Sequence, residues 1–487
     1  MTNDELCALA SRALAIGEEE AALARLAEAA GKHRGARLWQ WTALLHRSLD
    51  QLAEAIAAFD TAASLAPQDP LIAHGRARTL MEAGRDARPA YNRARALAPT
   101  DGDLLVGQSA ARLAQGDGER AAAELSDMLA ANPLWITGHV HLAQLQALIG
   151  RPERATSSFD RALAAHPAEP SLWTALFDLA IRREDYSTLA DFVSRAPLAP
   201  AATAPFAAIA AAETGHLDEA TRLFATLPPA DLPIWRVRHA LRTGDIALAL
   251  ALIDAELAGT AAADAWPYAY LAWRLTNDPR FESLASDTIQ IIDLAHRLPL
   301  DALAVTLLSL HTVSGQYLDQ SVRGGSQTDG PLLSRLEPEL RATRAVIVEA
   351  VEQYRVAIPA RVPGSPLFAE PRDRRIRFAG SWSVHLSSGG HHSAHVHPQG
   401  WISSALYVAL PDSLPGTEGW LELGAPPADL GLDLPATHVV EPRAGRLVLF
   451  PSWLWHGTRP FGAGERLTIA FDVAPSPRRA EQQIFVC

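Results

Sequence analysis

Apolar positions in the first half of the chain recur every three to four residues, the pattern of helices with one buried face. Four stretches align: QLAEAIAAFDTAASLAP, DARPAYNRARALAP, ERAAAELSDMLAANP and ERATSSFDRALAAHP. Their prolines, Pro67, Pro99, Pro133 and Pro167, are spaced 32, 34 and 34 residues apart. Counting back from each, Ala55, Ala87, Ala121 and Ala155 share one site. Phe59, Tyr91, Leu125 and Phe159 share the next, and Ala62, Ala94, Met128 and Ala162 a third. The spacing i, i+4, i+7 places these sites on one helical face, where small residues admit a close neighbouring helix. The proline then ends the helix. Fainter units follow at Gly215, Ala220 and Phe224 and at Gly244 and Ala247, and the pattern runs to about residue 285.

From 286 to 360 helical periodicity persists in TIQIIDLAHRLPLDALAVTLLSLH and LLSRLEPELRATRAVIVEAVEQYRVAI. The polar, glycine-bearing stretch DQSVRGGSQTDG (319–330) between them reads as a loop, and Pro359, Pro363 and Pro366 mark a break. Beyond it the period shortens to two in RIRFAGSWSVHL, ISSALYVALP, GWLELGAP, GRLVLFPSWLWH and RLTIAFDVAP. Short strands separated by Gly/Pro turns predict a barrel or jelly roll. The expected fold class is therefore α+β and multidomain: a helical array over 1–285, then a β domain over 286–487 whose segment 286–360 supplies supporting helices and the glycine loop.

The helical spacing resembles the tetratricopeptide (TPR) repeat, with Trp39, Gly150 and the A…F…A…P series at matching places. The resemblance implies a solenoid whose concave face binds a peptide or protein segment. Composition narrows the partners. Of 487 residues, 48% are hydrophobic and 20% charged, which is globular material. A net charge of −12 argues against nucleic acid or an anionic membrane held through a basic face. The two cysteines, Cys7 and Cys487, exclude a disulfide framework and a Cys-built metal site. The acidic, amphipathic N-terminus does not read as a signal peptide, and no apolar run is long enough to span a bilayer, so a cytoplasmic location is expected. Lys32 is the single lysine, so an anion in the second half must be held by Arg, His, hydroxyls or backbone.

Histidines gather in the β region: His385, His391, His392, His395 and His397, then His438 and His456. Neutral imidazole is a common metal ligand. In an extended strand residues i and i+2 share a face, so His395 and His397 can converge on one ion. His456, in the loop after GRLVLFPSW, joins them if a later strand returns beside the earlier one. Alternation in GERLTIAFDV puts Arg466, Thr468 and Ala470 on one face. An inward Arg needs a carboxylate: either a structural partner among Glu465, Asp472 and Glu441, or a small-molecule dicarboxylate.

In order, HVHPQGWISSALYVALP, LFPSWLWHG and ERLTIAFD, with RGGSQTDG upstream, resemble the 2-oxoglutarate/Fe(II) oxygenases over residues 300–487. The resemblance implies a double-stranded β-helix, Fe(II), 2-oxoglutarate and O2, and a hydroxylase acting on a peptide or protein recruited by the array. It assigns His395 and His456 to the two histidine ligand places, and His397 to the place usually filled by a carboxylate. Arg466 would bind the distal carboxylate of 2-oxoglutarate beside Thr468. Tyr407 stands open between cosubstrate contact and core packing. The departure at His397 leaves it open as a direct ligand or as support for a ligated water, and His391 and His392 stay rival ligands. Trp382, Trp401, Trp453 and Trp455 are expected to line or seal the cavity. Iron, zinc and nickel are not separated by sequence. Two other readings compete: a TPR adaptor with a structural β-barrel, and a three-His metalloenzyme that uses no 2-oxo acid.

Overall fold

The computed structural model describes residues 1–487 except 33–34, 260–261, 286–287, 314, 316, 319–320, 359–366, 368–374 and 476–487. The expected break at Pro359, Pro363 and Pro366, and Cys487, lie outside the described residues. The first half is a run of paired helices ending at Ala285. Helices end at Leu65, Leu97, Ala131 and Ala165, each two residues before its proline. The residue between takes the same extended conformation in all four units, φ −136, −138, −133 and −130°, as a following proline demands. The predicted helical face is buried: Ala55, Phe59 and Ala62 in one unit, Ala87, Tyr91 and Ala94 in the next. A methyl group on Gly107 would sit 2.4 Å from the Tyr91 ring, so a glycine seats that aromatic against the following helix. Within successive pairs the turn closes on a left-handed residue: Asp50, Gly84, Gly116, Gly150, Glu184, Gly215 and Gly244.

The second half contains β1 (Gln290–Asp293), β2 (Val322–Gln327), β3 (Phe378–His392), β4 (Ile402–Ala409), β5 (Leu421–Leu423), β6 (His438–Val440), β7 (Arg446–Pro451), β8 (His456–Thr458) and β9 (Arg466–Val473). They form two antiparallel sheets, ordered β1-β7-β4-β9-β3-β2 and β6-β5-β8. The sheets pack through Tyr407, Val448 and Phe450 on one and Leu421, Leu423 and Val440 on the other. Among the described residues no ladder joins them into one closed barrel.

Three expectations about elements are corrected. The stretch 319–330 is not all loop: residues 322–327 form β2, paired with β3. Its glycines hide the strand signal because they are there for close approach. A Cβ on Gly325 would lie 2.3 Å from the His385 carbonyl oxygen, and Gly324, at φ 74°, sits in a bulge of the ladder. The helix expected from residue 288 starts only at Leu300, because Gln290–Asp293 pairs with β7 as an edge strand. His456 opens the short strand β8 rather than lying in a loop.

The turns of the helical array face the β region. Arg344 donates to Asp50 at 2.9 Å, the Leu336 amide to Ala83 at 3.3 Å, the Gly315 amide to Leu148 at 2.9 Å, and Arg323 to Glu184 at 3.2 Å. Arg377 pairs with Glu19, which is completely buried. The last helices share a hydrophobic cluster with the sheets, joining Tyr268, Tyr270 and Trp273 to Trp453, Leu454 and Trp455. Among the described residues no helix is long and apolar enough to cross a membrane.

Candidate functional site

β9 is an interior strand of the larger sheet, between β4 and β3, and one face of it lines a chamber. Arg466, Thr468, Ala470 and Asp472 follow one another along that face at period two. His395 and His397 lie just past the end of β3 rather than within a strand, so strand alternation is not what aligns them. Pairing across the two sheets does. The amides of His395 and His456 each donate to the other's carbonyl, at 2.9 and 3.0 Å, and the His397 amide donates to Ser452 at 2.9 Å. The imidazoles of His395, His397 and His456 thereby present one nitrogen each, all within 4.8 Å of one another.

The other ring nitrogen is committed in all three. Nδ1–H donates to the Ser393 carbonyl from His395 at 2.8 Å, to the Leu454 carbonyl from His456 at 2.9 Å, and to Asp472 Oδ2 from His397 at 2.5 Å. Carbonyl and carboxylate oxygens only accept, so Nδ1 carries a proton in each ring and Nε2 is the nitrogen turned to the cluster, where the Ser321 hydroxyl reaches that of His395 at 3.2 Å. Burial holds His395 neutral, its pKa pushed down to about 3, and holds His456 and His392 well below the ordinary imidazole range. Converging imidazole nitrogens are a donor set that a divalent transition metal takes.

The rival histidines lie outside this trio. His392 stacks beside His395 at 6.0 Å, and its Nδ1 meets the Ser321 hydroxyl at 3.1 Å. His391 contacts the Gly389 carbonyl. His385 faces Glu465 and the His311 ring, and exposed His438 contacts Thr437.

Arg466 is 1% exposed and has no ion pair among the described residues. Its three candidate partners are taken otherwise: Glu465 by His385, Asp472 by His397, Glu441 by Arg443. Its Nη atoms donate to the Gly419 carbonyl at 2.9 Å and to Thr458 Oγ1 at 3.1 Å, while Nε is buried without a partner. The Tyr407 hydroxyl, in the same chamber, is also buried and unpartnered, and burial raises its pKa. A buried, unpaired guanidinium costs folding energy unless an anion joins it. Orphaned donors beside three converging Nε2 atoms fit a metal chelated by a small dicarboxylate.

Of the four tryptophans only Trp382 lines the chamber; Trp401 lies in the helix-backed core and Trp453 and Trp455 in the core shared with the array. Asp472, weighed in the sequence as a partner for Arg466, supports His397 instead, and the Ser403 hydroxyl donates to its second oxygen at 2.5 Å. The same alternation that selects Arg466 and Thr468 extends to Asp472, so the signal was present in the strand. Thr458 and Ser321 carried none.

Residues 380–472 match the family model described as "Putative 2OG-Fe(II) oxygenase", so the C-terminal region carries the resemblance that its motifs suggested. Among solved structures, the chain is similar to a Pseudomonas putida prolyl-4-hydroxylase (21% identity, covering 41% of this chain and 97% of that one, TM-score 0.27). It is also similar to a 2OG-Fe(II) oxygenase family oxidoreductase from Burkholderia pseudomallei (11% identity, 44% and 94%, TM-score 0.27). A third neighbour is a thermophilic TPR protein of Thermus thermophilus (18% identity, 36% and 99%, TM-score 0.27). No curated protein matches the chain.

Proposed function

We infer that residues 286–487 form an Fe(II)- and 2-oxoglutarate-dependent oxygenase unit on a double-stranded β-helix, and that the TPR array of residues 1–285 brings it a peptide or protein to hydroxylate. The supporting observation is one chamber holding three converging Nε2 atoms and a buried guanidinium without a carboxylate. His395, His397 and His456 would hold the metal, and Arg466 the distal carboxylate of 2-oxoglutarate, with Thr468 and Tyr407 beside it. Fe(II) with 2-oxoglutarate and O2 supplies, when bound, the oxidant that inserts oxygen into a substrate C–H bond.

The chain's own residues prepare that chemistry. Asp472 and the Ser393 and Leu454 carbonyls fix the ring orientations, so metal binding costs little reorganisation. Gly419 and Thr458 hold the Arg466 fork in place. Three neutral ligands leave the metal's charge uncompensated, which favours a dianionic cosubstrate. Phe450, its ring centred 4.8 Å from that of His456, gives the chamber an apolar wall behind that ligand.

Anaerobic titration of the Fe(II)-loaded chain with 2-oxoglutarate, followed by the visible charge-transfer absorption of the chelate, tests the reading. A saturable band is expected. Arg466→Leu should weaken cosubstrate affinity on the order of a hundredfold, the loss of a two-pronged charged hydrogen bond. No band, or a band indifferent to Arg466, overturns it.

A further inference from the structure

The oxygenase chamber opens into a larger cavity of about 870 Å3 whose far wall belongs to the helical array. His395, His397 and Trp382 line one side; Arg182, Arg183 and Glu184, at the end of the helix Pro170–Arg182 and in the turn after it, line the other. Glu184 is matched by Arg323 across the gap at 3.2 Å. Arg182 and Arg183 have no ion pair among the described residues, and Arg182 is exposed. Asp178 and Asp185, on the same segment, feel their charge. A chain with net charge −12 thus places two guanidiniums without an ion pair on the cavity wall that faces its candidate metal site.

The cavity does not end there. A second hollow of about 610 Å3 shares Arg182, Tyr317 and Leu318 with it and continues along the array, past Leu179, Val140 and Thr137. The two make a trough that starts at the histidines and leaves along the helices, with Arg182 where the two hollows meet and mixed apolar and polar walls beyond. A small acid would fill only the mouth. An extended chain, advancing about 3.3 Å per residue, would follow the whole trough.

We propose that this trough binds an extended acidic peptide segment of a partner protein, with Arg182 and Arg183 holding its carboxylates on the array wall while another part of the segment is presented to the metal. The proposal names the substrate class of the oxygenase reading and rests on it for the chemistry at the inner end. The array is then part of the substrate site, and Arg182 and Arg183 set specificity by charge.

Fluorescence anisotropy on the full chain, with Fe(II) and 2-oxoglutarate under argon, tests it. The probes are three labelled pools of nine-residue peptides carrying Asp/Glu, Asn/Gln or Lys at alternate positions. The acidic pool is expected to bind at least tenfold tighter than the amide pool at low salt, and the lysine pool weakest. The double variant Arg182→Glu, Arg183→Glu should abolish that preference. Thr137→Trp, an exposed position in the outer hollow, should weaken the acidic pool severalfold. Both variants should keep the wild-type chelate band and helical circular dichroism. Equal binding of the acidic and amide pools, or a preference that survives charge reversal, overturns the proposal; binding indifferent to Thr137→Trp overturns its extended-chain part. The chelate band reports separately on the oxygenase reading, so its absence with acidic binding intact would sink that reading alone.

Discussion

Each imidazole of the trio is oriented by an acceptor at its back, but the three acceptors differ in kind. Two are backbone carbonyls, which no substitution removes; the third is the Asp472 carboxylate on His397. In the proposed site His397 takes the place where the oxygenases usually carry a carboxylate ligand, and Asp472 would set negative charge behind it. Asp472→Asn preserves shape but removes the charge and offers an amide that can turn its NH2 to the ring. We expect Fe(II) affinity to fall about 10- to 100-fold, the usual cost of losing such support, with Ser403→Ala milder; metal titration checks both. Wild-type affinity in Asp472→Asn would mean that His397 does not touch the metal.

At the scale of elements, glycine separates two effects that sequence reading merges. Gly325 and Gly330 both lie in the stretch read as a loop. A methyl group at Gly325 meets the His385 backbone at 2.3 Å, whereas at Gly330, with φ 75°, it meets nothing. Gly325→Ala must push β2 off β3, at a cost of about 1–3 kcal/mol. It should also disturb Ser321, which touches His392 and His395 just before β2. Gly330→Ala carries only the left-handed penalty of about 1 kcal/mol. Urea midpoints should rank the two variants in that order, with the chelate band altered only in Gly325→Ala. Turn chemistry varies along the array in the same spirit. Asp50 and Glu184 occupy left-handed turn positions that glycine fills in neighbouring units, and both acids bridge to the β region, at Arg344 and Arg323.

Across the whole molecule the array and the β region stabilise each other. Glu19 is fully buried and pairs with Arg377 from far along the chain, helped by the Ser48 hydroxyl at 2.9 Å. Arg377→Met strands that carboxylate, and a loss of about 3 kcal/mol is expected from an unpaired buried charge, read as a lowered thermal midpoint. Because Tyr268, Tyr270 and Trp273 share a core with Trp453 and Trp455, a fragment starting at residue 286 should expose that cluster. We expect it to bind a hydrophobic dye and to lose cooperative unfolding; a soluble fragment with a sharp transition and an intact chelate band would contradict this.

What the sequence determined by itself was local and periodic. Helix ends two residues before each proline, the small–large–small face, the long strands β3, β4, β7 and β9, and Arg466 with Thr468 on one face all follow from short-range sterics and from which face must leave water. The glycine-rich β2 and the edge strand β1 escaped because their reason for being strands is a neighbour, not their own side chains. The histidine spacing offered several ligand sets. Only the pairing of residue 395 with residue 456, which brings two sheets together, selects one cluster, and only the tertiary contacts of Glu465, Asp472 and Glu441 leave Arg466 without a carboxylate. That Arg182 and Arg183 line one cavity with His395 and His397 was likewise invisible, because it depends on how the helical array packs against the β region, and no local pattern encodes the proximity of segments so distant in the chain.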